Sequence, residues 1–565
     1  MANIPVPLLG EPFYEVRNKM SAIIIRKSRF IRKSQVGSLL LVSLLLWAAC
    51  SSPEFDTIIA GGTVVDGSGK DRFNADIGIR EGRIAEIGDL TNRTTVERVD
   101  ATGMTVTPGF IDIHSHATSE SWAGSDISQR RDAESYVRQG VTTAMGGQDG
   151  SSPLDIGAFL DSLDVQPAAI NIGLFIGHGS IRSSVIGEDN VQATAEQLAE
   201  MTQLVEQAMR EGAFGLSSGL EYTPAAFAEI SEVVEMARPV ATYDGLYISH
   251  IRDEGGRLLE SVDEVLEIGR SAGARVQVTH HKLIGKARWG GASQSLALLD
   301  EAMASGVDVS SDQYPYTASS TGLTILFPNW SKDGGFEALV GRINDPATRA
   351  QIRKDVIDHI NVERGADPST IVAARCGFDA SFNGKSLADI LIDRKLPVTV
   401  ENAADVALEL VAAGSCSGVF HSMSPDDVIT IMQHAMTSIS SDGGIPAMNE
   451  GVPHPRNYGA FARVLAYYVR ELRVLTLEQA VYKMTALPAS RLGLTDRGKI
   501  AVGMVADLAI LNPDEVQDQA LFGDPHHYAT GVRDVFVGGV PIMRGAEMLG
   551  SYPGIALRHP SNLNK

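Results

Sequence analysis

Eight short apolar runs, each stopping at residues able to do chemistry, constrain this chain more than any other feature. They end near His114-Ser115-His116, Gly147-Gln148-Asp149, His178, Ser217-Ser218, His250, His280-His281, Asp312 and Asp442. Stretches of helical pattern fit between them, such as Thr194 to Glu211 and Arg257 to Ala272. Eight strand–helix units with polar groups at the strand ends predict a distorted TIM (β/α)8 barrel, an α/β fold, over residues 108–494. The seventh and eighth ends, Asp312 and Asp442, are roughly 130 residues apart, far more than a barrel loop needs. An inserted subdomain is therefore expected at about 345–414, over the barrel mouth.

The flanks read differently. From Ser51 to about Val106, apolar runs of strand length alternate with turn residues, as in Asp56-Thr57-Ile58-Ile59-Ala60-Gly61-Gly62 and Arg83-Ile84-Ala85-Glu86-Ile87-Gly88. The pattern returns near the C-terminus in Val505 to Leu511 and Val535-Phe536-Val537-Gly538-Gly539. Residues 51–107 and 495–565 are expected to meet in one small β-sandwich-like domain.

Lys and Arg total 48 against 69 Asp and Glu, a net charge of -21. Such a surface repels phosphate backbones, which argues against nucleic acid as a partner. An anionic small molecule remains a feasible ligand only where local cations receive it. The cysteines are Cys50, Cys376 and Cys416. They are too few for a disulfide framework or a cysteine-rich zinc module. Burial preference favours two free, buried thiols at Cys376 and Cys416, although an oxidising compartment would let them pair.

Residues 1–50 read as an export signal. Arg26, Lys27, Arg29, Arg32 and Lys33 precede an apolar run, Ser38 to Ala49, too short to span a bilayer. Nothing before Met20 fits such a signal, which leaves Met20 as a second candidate start. Leu46-Trp47-Ala48-Ala49-Cys50 resembles a bacterial lipoprotein site, with lipid on Cys50. Trp47 is unusual there, so plain cleavage stays open beside lipidation. Both readings place the mature protein outside the cytoplasm, either periplasmic or anchored to a membrane through Cys50.

The chemistry begins at Gly109-Phe110-Ile111-Asp112-Ile113-His114-Ser115-His116. Histidines two apart on a strand share a face and can bind one metal ion. His250 ends Leu246-Tyr247-Ile248-Ser249-His250, His280 ends Val276-Gln277-Val278-Thr279-His280, and Asp442 ends Ile439-Ser440-Ser441-Asp442. A lone histidine is usually a satisfied polar residue. Four histidines and an aspartate at one end of one barrel instead fit a divalent site of N and O ligands, best suited to zinc. Such an ion acidifies water and polarises a carbonyl. An aspartate beside it can move a proton from that water to a leaving amine.

Longer stretches carry a resemblance. They are Gly212-Ala213-Phe214-Gly215-Leu216-Ser217-Ser218-Gly219-Leu220 with Tyr222 and Pro224, then His280-His281-Lys282, then Asp312-Gln313-Tyr314-Pro315-Tyr316-Thr317-Ala318-Ser319-Ser320, then Ser441-Asp442-Gly443 with Pro453-His454-Pro455-Arg456. With His114, His116 and Asp442, these resemble the N-acyl-D-amino-acid deacylases (D-aminoacylases) of the metal-dependent amidohydrolase superfamily, from about Asp56 to Pro560. The resemblance implies one or two zinc ions. His250 and His280 would hold the tighter one, and His114, His116 and Asp442 would surround the second position. Asp442 would be the general base and then the acid. Arg456, Lys282 and Tyr314, with Ser320 assisting, would bind the substrate's α-carboxylate. The implied reaction is hydrolysis of the N-acyl amide bond of N-acyl-D-amino acids, releasing a carboxylate and a free D-amino acid.

One departure stands out. The resembled family carries a cysteine ligand after the second strand, where this chain has Asp149 in Gly146-Gly147-Gln148-Asp149-Gly150. A carboxylate can ligate or bridge a divalent ion, so Asp149 is a ligand candidate, with capping of the next segment as its alternative. Rival functions are a cyclic-amide hydrolase of the dihydroorotase or hydantoinase kind, a dipeptidase of the same superfamily, and an exported binding protein without catalysis. A carboxylated lysine bridge would favour the cyclic-amide reading, and Lys282 is the only lysine at an expected strand end. His178 faces either the pocket or a turn. His281 should point away from His280's face, His454 should support Arg456, and His526 and His527 are expected at the surface.

Overall fold

The computed structural model describes residues 53–118 and 126–560. The export-signal reading of residues 1–50, with Cys50, lies outside them.

All eight expected barrel strands form, in sequence order. They are Phe110–Asp112, Val141–Gly146, Asn171–Leu174 continued by Ile176–Gly177, Gly215–Gly219, Leu246–His250, Arg275–Val278, Val309–Gln313 and Thr437–Ile439. Their pairings are parallel throughout. Past the strand ends, Asp442 N–H donates to the His114 carbonyl at 2.9 Å, and His116 N–H donates to the Gly443 carbonyl at 2.6 Å. These bonds bring the first and eighth strands together. Parallel strands buried on both faces need small or apolar residues throughout, and Gly215–Gly219 and Leu246–His250 are buried at every position.

The outer helices follow their sequence signals. Ala195–Glu211 starts at a Thr194–Gln197 capping box, buries Met201, Val205, Ala208 and Met209 on one stripe, and stops at Gly212 with φ 117°. Leu258–Ala272 likewise buries Val262, Val265, Leu266 and Gly269, and ends at Gly273.

The chain ends do meet. One sheet pairs Phe55–Ala60 with Asp76–Arg80 and Thr95–Asp100. In the other, Thr105–Pro108 from the N-terminal side lies antiparallel to Leu508–Leu511, which continues to Val532–Val537 and Val540–Arg544. Ile59, Ile77 and Ile79 from the first sheet share a core with Val106, Leu508, Ile510 and Phe536 from the second. Asp507 joins this unit to the barrel: its carbonyl accepts from Gly109 N–H at 2.8 Å, and its carboxylate accepts from Asn171 and Arg497.

The insertion is wider than expected at about 345–414. It begins at Ala318–Gly322, which pairs antiparallel with Cys416–His421, and that strand pairs in turn with Ile371–Cys376. Ala-Ser-Ser-Thr-Gly has no apolar alternation, so its strand character comes from its partner and not from its own pattern. The helices Pro346–Glu363 and Val400–Ala412 pack over this sheet around a separate core of Leu339, Ile352, Val356, Ile360, Leu408 and Phe420. The expectation of free thiols fails here. Cys376 and Cys416 sit directly opposite each other on adjacent antiparallel strands and form a disulfide. Their Cα atoms are 4.3 Å apart, a proximity that 40 residues of sequence separation conceals.

Candidate metal centre

The first barrel strand stops at Asp112, so His114 and His116 stand just beyond it. Asp112 pins this exit: its carboxylate accepts from Ser441 N–H at 3.0 Å and from His114 N–H at 3.3 Å. His114 Nε2 lies 3.5 Å from both Asp149 Oδ1 and Asp442 Oδ1. His116 Nε2 lies 3.4 Å from Asp149 Oδ2 and 3.1 Å from Asp442 Oδ1. From the fifth and sixth strands, His250 Nδ1 meets His280 Nε2 at 2.8 Å, and His280 Nε2 lies 3.4 Å from Asp149 Oδ1.

Three clusters of candidate ligands result. His114, His116, Asp149 and Asp442 form one; Asp149, His250 and His280 form a second that shares Asp149 with it; Glu221, His250 and Glu254 form a third, which shares His250 with the second. Asp149 belongs to the first two, and its turn passes very close to the third strand. An added Cβ at Gly147 would lie 2.0 Å from the Phe175 carbonyl oxygen, so only glycine fits. The backbone is strained at three of the candidate ligands: Asp149, His280 and Asp442 adopt φ of 52°, 34° and 50°. Such conformations are costly and persist where surrounding structure imposes them.

These residues fit a divalent ion. Tetrahedral ligands at ~2.0–2.2 Å from zinc are about 3.3–3.6 Å apart, close to most of the spacings here. On the side of the cluster, Nε2 of His114 and Oδ1 of Asp149 are buried without a hydrogen-bond partner. Buried polar atoms left in that state are rare unless another ligand serves them. The field has the right sign. Burial disfavours charge on His114, but Asp149, Asp312 and Asp442 outweigh it and lift its pKa well above the histidine range. Asp312 Oδ1, 3.4 Å from His114 Nδ1, occupies the outer position that orients a ligating histidine. Asp312 itself accepts from His280 N–H, Gln277 and Ser440.

The pocket above the centre brings together Lys282, Tyr314, Ser320 and Arg456, as expected. Their engagements add detail. Arg456 Nη1 donates to Asp442 Oδ2 at 2.7 Å, and Nη2 donates to the Ser320 carbonyl at 3.3 Å. The guanidinium lies over the Tyr314 ring, 4.9 Å from its centroid. The Tyr314 hydroxyl is buried without a partner. Lys282 Nζ donates to Glu254 Oε1 at 2.5 Å and meets His280 Nδ1 at 2.7 Å, so it also supports a ligand histidine. Burial raises the Asp442 carboxyl pKa, but Arg456, His114 and His116 hold it well below the usual carboxylate range.

Other histidines resolve as follows. His178 does not join the centre; it pairs with Glu232 Oε1 at 2.9 Å, beside Arg182. His281 points away, as expected, onto Ser295 Oγ at 2.9 Å. His454 Nδ1 accepts from Arg456 N–H at 3.0 Å and so supports the arginine. His527 is exposed. His526 is not a plain surface residue: it bonds the Tyr458 hydroxyl and the Gly451 carbonyl, a contact made by long-range packing. Glu221, Glu254 and Arg364 line the pocket without having been singled out from sequence. Glu221 Oε2 lies 2.8 Å from His250 Nε2. Glu221 and Glu254 each stand just past a strand end, Gly219 and His250, and that position was their available signal.

Comparison with known proteins finds relatives over about nine-tenths of the chain. Residues 97–543 match the model of the amidohydrolase family. The chain is 35% identical to the D-aminoacylase of Alcaligenes xylosoxydans xylosoxydans, over 90% of this chain and 98% of that protein. A solved D-aminoacylase, described with a binuclear metal center, superposes with a TM-score of 0.76 at 32% identity, covering 89% of this chain and all of that one. The N-acyl-D-glutamate deacylase of Bordetella bronchiseptica, complexed with zinc and a phosphonate mimic of the tetrahedral intermediate, superposes with a TM-score of 0.76 at 32% identity, covering 89% and 99%.

Proposed function

The chain belongs to the amidohydrolase family, and from that premise we propose that it hydrolyses the amide bond of N-acyl-D-amino acids, yielding a carboxylate and a free D-amino acid. One observation carries the reading: Asp149 joins two histidine sets directly beside Asp442, in a pocket that also holds Arg456, Lys282 and Tyr314. Zinc is the proposed metal, held by His114, His116, Asp149, His250, His280 and Asp442. A divalent ion in this set supplies Lewis-acid polarisation of the acyl carbonyl and acidifies the attacking water. The chain's own groups do the rest. Asp442 takes a proton from the water and returns it to the leaving amine nitrogen. Its Oδ2 is fixed by Arg456, which leaves Oδ1, on the His116 side, to face the reaction. The unpartnered Tyr314 hydroxyl and the stacked Arg456 orient the α-carboxylate. Asp149 stands between the first two clusters, where the cyclic-amide alternative calls for a carboxylated lysine.

We further propose that residues 1–50 export the protein and that Cys50 carries lipid. The Cys376–Cys416 disulfide supports an oxidising destination, since thiols stay reduced in the cytosol. Loss of acyl-chain labelling in Cys50→Ala would support lipidation, and an unlabelled wild-type protein would contradict it.

The test of function is a screen of N-acetyl D- and L-amino acids with wild type and Asp442→Asn. Wild type should release D-amino acids preferentially, and the variant should lose at least about a hundredfold in kcat, the scale of lost acid–base catalysis. L-selective release, or an unimpaired variant, would refute the proposal.

A further inference from the structure

Three cations line the metal pocket, and two of them are already neutralised. Lys282 is bound to Glu254, and Arg456 is bound to Asp442. The third, Arg364, comes from the insertion, directly after the helix Pro346–Glu363. It is 4% exposed, yet no carboxylate among the described residues stands within ion-pair distance of it. Nη1 donates to the Ser422 hydroxyl at 3.2 Å, the guanidinium lies 4.8 Å from the Phe420 ring centroid, and buried Nε has no partner. Its neighbour Glu363 is turned to His359, 3.3 Å away.

A guanidinium stays charged in any protein setting, so it cannot escape burial by losing its proton. An isolated buried charge is strongly unfavourable, and buried charges are otherwise paired. The hydroxyl and the ring are neutral and offset only part of that cost. Glu363, Glu221 and Glu254 act on it electrostatically, but none is close enough to pair with it, so Arg364 lacks an anion in contact, and it lacks one in the pocket proposed to take the substrate. In the proposed reading, Arg456 meets the α-carboxylate through Nη2, which the Ser320 carbonyl holds at 3.3 Å and Asp442 does not, with Tyr314 beside it.

We propose that Arg364 receives a second carboxylate of the substrate, so that the preferred N-acyl amino acids are dianions. The extra carboxylate could come from an acidic amino-acid side chain or from a dicarboxylic acyl group; both offer Arg364 the same fork-matched partner. This inference rests on the N-acyl-amino-acid reading of the same pocket.

Two matched pairs of substrates test it with the metal-loaded enzyme. N-acetyl-D-glutamate against N-acetyl-D-glutamine probes the side chain, and N-succinyl-D-alanine against N-butanoyl-D-alanine probes the acyl group. Wild type should prefer the acid in one pair by tenfold or more in kcat/KM, and that pair identifies the source. Arg364→Gln should collapse that preference by a similar factor, and Arg364→Lys should restore part of it. A structural role would lower both members of a pair alike and leave their ratio unmoved, which overturns the proposal. So does a wild type that cleaves all four with no preference for either acid. Release of no amino acid from any of the four would instead refute the N-acyl-amino-acid reading, and this inference with it.

Discussion

Arg456 Nη1 donates to Asp442 Oδ2 at 2.7 Å, so the arginine expected to read the substrate also holds the proposed proton carrier. The two residues are 14 positions apart, and the helix Arg456–Arg463 starts where the first of them can reach back to the eighth strand's end. On the proposed function, the contact gives Arg456 two separable roles. Pairing keeps the Asp442 carboxyl ionised, ready to accept a proton. The position over Tyr314 offers positive charge to a substrate carboxylate.

Arg456→Ala should therefore lower both kcat and kcat/KM. A charge-assisted contact contributes about 1.5–3 kcal/mol, or roughly tenfold to a hundredfold. The loss should be larger for a free α-carboxylate than for the same substrate amidated. An equal loss on both would mean that Arg456 acts through Asp442 alone.

Tyr314→Phe removes a buried hydroxyl that has no partner in the protein. Thermal stability should therefore hold or rise slightly, because no internal hydrogen bond is broken. Activity should behave otherwise, with kcat/KM falling by about tenfold as a contact to a carboxylate is lost. Paired calorimetry and kinetics check this; a large drop in stability with unchanged kinetics would contradict it.

Asp149 is common to two of the three candidate ligand clusters. Asp149→Ala should lower the content of bound metal in purified protein and weaken retention against a chelator. Asp149→Cys should recover much of it, since a thiolate at that turn is itself a good zinc ligand. Unchanged metal content in the alanine variant would return Asp149 to a capping role.

These candidate ligands were legible in the sequence because a barrel gathers its strand ends. His114, His116, Asp149, His250, His280 and Asp442 each follow a recognisable apolar run, and parallel order puts such positions together. The insertion gave no comparable handle. Ala318–Gly322 is a strand only by virtue of its partner, Cys376 meets Cys416 only through that sheet's register, and Arg364 reaches the pocket through the packing of a whole subdomain. His526 illustrates the same limit at smaller scale, because its partners, Tyr458 and Gly451, are far away in sequence.

The disulfide makes its own prediction. Replacing Cys376 and Cys416 with serine should lower the unfolding free energy by about 2–4 kcal/mol through the freed loop. Denaturant titration of oxidised wild type against the double variant measures it. Thiol titration of unreduced, denatured Cys50→Ala protein should find no free thiol. Two reactive thiols there would mean that the pair stays reduced.

On the proposed function, metal held by His114, His116, Asp149, His250, His280 and Asp442 is required to hydrolyse an N-acyl amino acid. Metal analysis and amino-acid release on one preparation test it directly: as purified, after chelation, and after zinc is returned. The expected result is bound divalent metal at the start, release of D-amino acid abolished with its removal, and recovery on adding zinc. Full activity in protein shown to be free of metal would contradict the claim.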